Sequence, residues 1–286
     1  AWPKEEGQSA VQVPVQPQTP SSGGFASPFG DDGSSSGSAG GQNTAATTKV
    51  GAKVSPALVN INTSLGYQDA SAAGTGIVLS SDGTVLTNNH VIRGATKISA
   101  TDIGNGKTYD ATVVGYDRTH DIAVIKLTGA SGLETASIGN SSTAAVGQSV
   151  VGIGNAGGRG GSPTLSAGSI TALNRSITAS DSSTGDSEDL TGLIATDADI
   201  QPGQSGGPLV SMDGKVLGVD TAASASYSFS QGSSHGYAVP INTAMSVVRQ
   251  ITSGHASATV HIGQTGFLGV QVQDSGSSID GSTRAT

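Results

Sequence analysis

Ser205 stands in the run Gln201-Pro202-Gly203-Gln204-Ser205-Gly206-Gly207-Pro208-Leu209, among glycines and just before a proline and an apolar pair. A serine hydroxyl is a weak nucleophile. For acyl transfer it needs a base to take its proton, a carboxylate to orient that base, and donors to meet the developing oxyanion. Two earlier segments offer the missing groups. His90 lies in Thr87-Asn88-Asn89-His90-Val91-Ile92, and Asp121 in Thr119-His120-Asp121-Ile122-Ala123-Val124-Ile125. The roles follow from side-chain chemistry: Ser205 as nucleophile, His90 as base and then acid, Asp121 as the orienting carboxylate. The backbone N–H groups of Gly203 and Ser205 would form the oxyanion hole, because glycine lets successive N–H groups turn towards one point without a Cβ clash. Each residue alone has a blander reading. A Gly-Ser-Gly-Gly run is usually a flexible turn, a histidine after two asparagines a turn residue, and an aspartate before an apolar strand a strand-end residue. The three in one order, with strands between them, are far more specific.

Those strands must position the three groups. Gly76-Ile77-Val78-Leu79 and Val85-Leu86-Thr87 flank an Asp82-Gly83 turn and predict a hairpin. Val54 to Thr63 reads as a lead into a strand. Further strands are predicted over 97–100, 109–116, 122–127, 149–153, 165–173, 192–197, 208–211, 215–221 and 236–240. Many short strands separated by turn signals predict an all-β barrel or sandwich. Only 242–252 has helical character: Ala244, Val247, Val248 and Ile251 share one face, and Asn242 is placed to cap its start. Residues 1–50 are rich in Ser, Gly, Pro and Gln and cannot bury enough apolar surface to offset their ordering entropy, which predicts a disordered tether.

Net charge is −8 and no Lys/Arg run occurs, which argues against a nucleic-acid partner and against anionic lipid. Cysteine is absent, so disulfides and Cys-based zinc sites are excluded. A cysteine-free chain suits an oxidising compartment. No apolar run reaches the roughly 18 residues of a bilayer span. The chain opens at Ala1 and not at Met, so an upstream segment is expected to have been removed: a signal peptide, a membrane anchor, or a deliberate trimming. No metal or cofactor is implied.

The order His, Asp, Ser is that of chymotrypsin-type serine proteases. Thr87–Ile92, His120–Leu127 and Gln201–Leu209 resemble the signatures of the trypsin-like proteases of the HtrA (Deg) family, in particular its secreted actinobacterial members. Gly152-Ile153-Gly154-Asn155 and Gly236-Tyr237-Ala238-Val239-Pro240 also fit. The likeness runs from about Val54 to Val272. It implies a chymotrypsin-like double β-barrel with one C-terminal helix and the triad in the cleft between barrels. It further implies an ATP-independent serine endopeptidase of unfolded or exposed polypeptides, secreted or facing the cell envelope, assembled as a homotrimer. The expected domains are a linker over 1–50, a protease domain over 51–258, and over 259–286 a linker with the truncated start of a PDZ-like domain. Phe267-Leu268-Gly269-Val270 resembles the carboxylate-binding turn of such a domain, yet only 16 residues follow it, far short of a PDZ fold. A plain strand packed on the barrel is the alternative there. For the whole chain the alternative is a latent or inactive protease fold acting as a binding or chaperone module.

Three positions depart from the family pattern. The run before the nucleophile reads Thr196-Asp197-Ala198-Asp199-Ile200, where the family usually has alanine in place of Asp199. In trypsin-like enzymes the position six before the nucleophile floors the S1 pocket, where a carboxylate selects Lys or Arg. Either Asp199 shifts preference that way, or it turns aside and Ile200 keeps the pocket apolar. His235 fills another position expected to line S1, with a pH-dependent pairing to Asp199 and an exposed loop residue as its two readings. Gln204 precedes the nucleophile where relatives carry Asn or Asp. It cannot form the ion pair that activates trypsin-type zymogens.

Other patterns carry less. Gly203-x-Ser205-x-Gly207 also fits a nucleophile elbow, with Asp220 and His255 or His261 as formal partners, but an elbow feeds a helix and Pro208-Leu209-Val210 reads as strand. Gly152-x-Gly154-x-x-Gly157 leads into more glycine and Pro163, not a helix, so it reads as a loop bordering the cleft. Asp181, Asp186, Glu188 and Asp189, within 180–189, invite calcium, yet no spacing there matches an EF-hand loop, so the run reads as a solvated acidic loop. His120 is expected to face away from Asp121, because neighbours on a strand alternate sides.

Overall fold

The computed structural model describes residues 44–65, 70–180, 187–221 and 236–264. The strands are β1 (Leu58–Leu65), β2 (Ala70–Val78), β3 (Thr84–Thr87), β4 (Lys97–Asp102), β5 (Thr108–Asp117), β6 (Ile122–Leu127), β7 (Ser149–Gly154), β8 (Thr164–Ser180), β9 (Ser187–Thr196), β10 (Pro208–Ser211), β11 (Val216–Thr221), β12 (Gly236–Pro240) and β13 (Val260–Ile262). The helices are α1 (Thr44–Val54), α2 (Asn89–Ile92) and α3 (Ile241–Thr252).

The first sheet runs β13-β5-β4-β1-β2-β3-β6, and β5 also pairs β6, so six of its strands return on themselves. The second is a closed barrel, β10-β11-β12-β9-β8-β7. The strand pairings in both are antiparallel among the described residues, as short turns between consecutive strands demand. The double-barrel expectation holds. One apolar core fills the first ring with Val59, Ile61, Val85, Ala123 and Ile125. A larger one joins Leu58, Ile77 and Leu86 to Val151, Val210, Val219 and the inner face of α3. Neighbouring residues of one strand are thereby sorted between the two cores, as Ile122 and Val124 are from Ala123 and Ile125 on β6.

Two helical details differ from the sequence reading. The chain is already helical at Thr44, ten residues before Val54, where order was expected to begin. Val50 and Val54 are buried in the larger core, and Gly51 stands where a Cβ would meet Leu165 Cδ1 at 2.5 Å. Two valines and a glycine in a Thr- and Ala-rich run give little periodicity, so tertiary packing and not local pattern makes this helix. α3 begins at Ile241, and Asn242 does not cap it. Its side chain instead accepts from Ser141 N–H at 3.3 Å and donates to Asn140 Oδ1 at 2.7 Å, tying α3 to the loop before β7. The predicted His235, the run Phe267–Val270 and the acidic residues 181–186 lie outside the described residues.

Candidate active site

Asp121 opens β6 with φ of 52°, a left-handed conformation that few non-glycine residues hold without compensation. The compensation is a dense set of bonds. Its Oδ2 lies 2.7 Å from His90 Nδ1 and accepts from Thr221 Oγ1 at 3.1 Å. Its Oδ1 accepts from the His90 backbone N–H at 2.9 Å. Its own carbonyl accepts from Asn88 Nδ2 at 2.8 Å and from Asn89 N–H at 3.3 Å. The two asparagines before His90 thus tie α2 to the start of β6. The carboxylate is almost fully buried while the imidazole remains partly exposed, so the histidine can meet both its carboxylate and a substrate. His120 is engaged elsewhere, its Nδ1 2.8 Å from Asp117 Oδ2.

Ser205 is buried beside this pair. Its carbonyl accepts from Thr75 N–H at 2.9 Å. Gly206, with φ of 82°, is pressed so closely that a Cβ would stand 2.2 Å from both Thr75 O and Thr87 Oγ1 and 3.2 Å from Asn88 N. No side chain fits there. That contact brings the serine turn against the residues that lead into His90, from the opposite barrel.

The turn itself is pinned through every carbonyl from 201 to 205. Gln201 O accepts from Gln204 N–H at 3.0 Å, Pro202 O from Gly157 N–H at 2.7 Å, Gly203 O from Thr75 Oγ1 at 2.8 Å, and Gln204 O from Gly207 N–H at 2.8 Å. With the Ser205 carbonyl on Thr75, none of the five is left to intrude where an oxyanion would sit. A trans peptide points its N–H opposite its C=O, so the Pro202 bond to Gly157 turns the Gly203 N–H away from the glycine loop. Among the described residues that N–H meets no acceptor within the protein. Gly203 needs its φ of 92°, and a Cβ there would stand 2.2 Å from Asn155 O. Gln204 is wholly buried, and its Oε1 accepts from Gln201 N–H at 2.8 Å and Ser166 Oγ at 3.1 Å. A neutral side chain thereby braces the turn from within.

Thr75 was not singled out from sequence, yet it holds both ends of the turn. Its hydroxyl donates to Gly203 O while accepting from Asn155 N–H at 2.9 Å, and its N–H holds Ser205 O. Only the pairing of β2 with the serine turn reveals it, since a lone threonine in a strand carries no signal. Thr75→Val keeps the shape and loses the hydroxyl bonds. We expect kcat to fall about 10²-fold, the scale of one weakened oxyanion donor, with KM nearly unchanged. Thr75→Ser should restore most of the rate, as steady-state kinetics on one peptide substrate will read.

At the mouth of the second barrel, Ile200 is half-buried. A Cβ on Gly152 would stand 2.2 Å from Ile200 Cδ1, and one on Gly236 2.4 Å from its Cγ1. Asp199 is exposed, and its carboxylate accepts from Gln201 Nε2. Asp220, set aside above as an elbow partner, is wholly buried, with no hydrogen-bond partner for either carboxylate oxygen among the described residues. Burial alone pushes its carboxyl well above the usual carboxylate range. The folded protein therefore keeps a proton that the unfolded chain releases above about pH 4. Stability is fully present below that pH and falls as pH rises towards the folded value. Asp220→Asn removes this dependence. We expect its advantage in unfolding free energy over the native chain to be absent near pH 4 and to grow towards pH 8, reaching roughly 1–3 kcal/mol, read by thermal unfolding across pH.

Among the described residues no cluster of His, Cys, Asp and Glu could hold a metal ion, and no helix is long and apolar enough to cross a membrane. Residues 74–219 match the family model described as "Trypsin-like peptidase domain", a span that includes His90, Asp121 and Ser205. The chain is 37% identical over 231 residues to the serine protease PepD of Mycobacterium tuberculosis, covering 75% of this chain and 49% of that one. It is 38% identical over 191 residues to the serine protease Do-like HtrB of Bacillus subtilis, covering 66% of this chain and 39% of that one. The chain thus spans half or less of the length of these curated relatives. Among solved structures, an HtrA-type protease AlgW with tripeptide superposes with a TM-score of 0.61 at 32% identity, covering 73% of this chain and 64% of that one.

Proposed function

The chain belongs to the trypsin-like peptidases, in their HtrA branch, and from that premise we propose that it is a serine endopeptidase that cleaves unfolded or exposed polypeptides through an acyl-enzyme. The observation that supports this most is the buried Asp121 carboxylate 2.7 Å from His90 Nδ1, with Thr221 as a second donor and the serine turn packed alongside. In this reading Asp121 fixes the imidazole tautomer that leaves Nε2 as base. His90 takes the Ser205 proton as Oγ attacks the scissile carbonyl, then returns it to the leaving amine. The N–H groups of Gly203 and Ser205 receive the oxyanion. Water repeats the sequence on the acyl-enzyme. Ile200 lines S1, with Asp199 at its edge and His235 as a further lining residue.

An extracytoplasmic setting belongs to the same proposal, supported by the absence of cysteine and by the HtrA resemblance. So does assembly as a homotrimer, and so does a PDZ-like beginning at Phe267–Val270, both on that resemblance alone. The test is to map cuts in a denatured protein mixture by mass spectrometry, native chain beside Ser205→Ala. Cuts that vanish in the variant support the reading. The same cuts in both proteins would assign the hydrolysis to something else.

A further inference from the structure

The acyl-transfer scheme assigns no part to Gln204, the residue that adjoins the nucleophile. Gln201-Pro202-Gly203-Gln204 is a β-turn: Gln204 N–H donates to Gln201 O at 3.0 Å, and φ of 92° at Gly203 is what the third residue of a type II turn requires. The Gln204 side chain closes the same turn a second time, since its Oε1 accepts from Gln201 N–H at 2.8 Å. Residue 201 is thus held through both its backbone groups by residue 204. A wholly buried glutamine must direct its amide to fixed partners. Here those partners lie on two sides of it.

The far side is β8. Ser166 Oγ lies 3.1 Å from Gln204 Oε1 and 2.7 Å from Asp199 O, and Gln204 Nε2 donates to Thr164 O at 3.5 Å. On the neighbouring β7, Gly154 pairs with Thr164 and Gly152 with Ser166. A Cβ on Gly154 would stand 2.8 Å from Gln204 Cα and 3.2 Å from its Cβ, so only glycine lets the turn lie this close to the barrel wall. The Gln204 side chain therefore ties the turn to a strand of the closed barrel. The middle of the turn is the part that matters chemically. With both ends fixed, the Pro202–Gly203 peptide meets Gly157 N–H through Pro202 O on one side and presents Gly203 N–H on the other. Rotating that peptide by half a turn would convert type II to type I and withdraw the donor.

We propose that Gln204 is a positioning residue, whose side-chain oxygen clasps Gln201 and Ser166 so that the oxyanion donor Gly203 N–H is already aimed in the free protein. The inference rests on the serine endopeptidase reading and adds how its oxyanion site is kept formed. Preorganised donors need no rearrangement when charge develops, so their loss falls on the transition state more than on substrate binding. The clasp is built from neutral groups within the chain and needs no ion pair from a newly cut terminus. Because the same Ser166 hydroxyl lies against Asp199 O, it also steadies the segment that carries Ile200.

The experiment uses the full chain, Gln204→Met, Gln204→Glu and Ser166→Ala on one peptide substrate, with a thermal unfolding curve for each. Gln204→Met keeps the length and loses the acceptor. Its kcat should fall about 10- to 100-fold, less than removing an oxyanion donor outright, with KM within about twofold of native. Burial favours the protonated carboxyl, so Gln204→Glu keeps an uncharged acceptor in place and should recover most of the rate. Ser166→Ala, the mildest change, should lower kcat about 5-fold, the scale of one neutral hydrogen bond. Native kcat in a folded Gln204→Met overturns the inference, as does a loss carried by KM alone or an equal loss in a folded Gln204→Glu. Should Gln204→Met not fold, native kcat in Ser166→Ala overturns it. Hydrogen exchange over 201–207, followed by mass spectrometry, gives a readout independent of turnover. Exchange on the order of 10-fold faster in Gln204→Met is expected, and unchanged exchange overturns the inference. A native chain that cuts no peptide yet shows this difference would count against the catalytic reading while leaving the clasp standing.

Discussion

Ser205→Ala and His90→Ala should each lower kcat by about 10⁴- to 10⁶-fold, and the double variant should lose little more than either alone. The non-additivity is the sharper part of this expectation. Without the serine oxygen, the imidazole has no proton to move. Without the imidazole, the hydroxyl stays a poor nucleophile. Either change therefore abolishes the same step, and what rate remains comes from the N–H groups of the turn and from substrate binding. His90→Ala keeps the backbone N–H that bonds Asp121 Oδ1. The geometry of the turn rests on Thr75, Gln204 and Gly157, which both variants retain. Thermal unfolding close to that of the native chain, beside the loss of kcat, would place the effect in chemistry and not in folding. Single-turnover kinetics on one peptide substrate will measure it.

Asp121→Asn should cost about 10⁴-fold in kcat, because the side-chain shape survives while its acceptor pattern does not. The native carboxylate accepts from three groups: His90 Nδ1–H, His90 backbone N–H and Thr221 Oγ1. An amide has a single oxygen for these partners and turns an NH₂ towards at least one of them. Kept near the ring, the amide favours the tautomer with the proton on Nε2, which cannot act as base towards serine. The loss should be largest near neutral pH and shrink at high pH, where the small fraction of correctly arranged enzyme can draw on hydroxide. A pH profile of kcat/KM with both proteins on one axis reads this directly. A uniform loss at all pH values, accompanied by a fall in Tm, would instead indicate that Asp121 serves mainly to hold the strained start of β6.

The sequence was most informative where chemistry and turn geometry coincide. Ser205, His90 and Asp121 were legible because each adjoins residues with their own backbone demands: glycines that permit φ of 92° at Gly203 and 82° at Gly206, and asparagines that reach back to the Asp121 carbonyl. Strands β6, β10 and β12 were read with their true bounds, since proline, glycine or a change of polarity marks both ends. What stayed hidden depends on non-local packing. Helix α1 owes its order to Val50 and Val54 in a core assembled from distant strands. Thr75 matters only because β2 lies against a turn about 130 residues further along the chain. Asp220 read as an ordinary residue near the end of a strand, because sequence does not show that its side chain is sealed from water without a partner. Asp199 drew attention by its position six before the nucleophile, and nothing in the sequence revealed that Gln201 would engage it at the surface.

The most direct test of the catalytic account is labelling of the full chain with a fluorophosphonate, followed by peptide mapping, with His90→Ala in parallel. The account predicts one adduct on Ser205 in the native chain and its near-absence in His90→Ala. No adduct on Ser205 in a folded native chain, or equal labelling in both proteins, would contradict it.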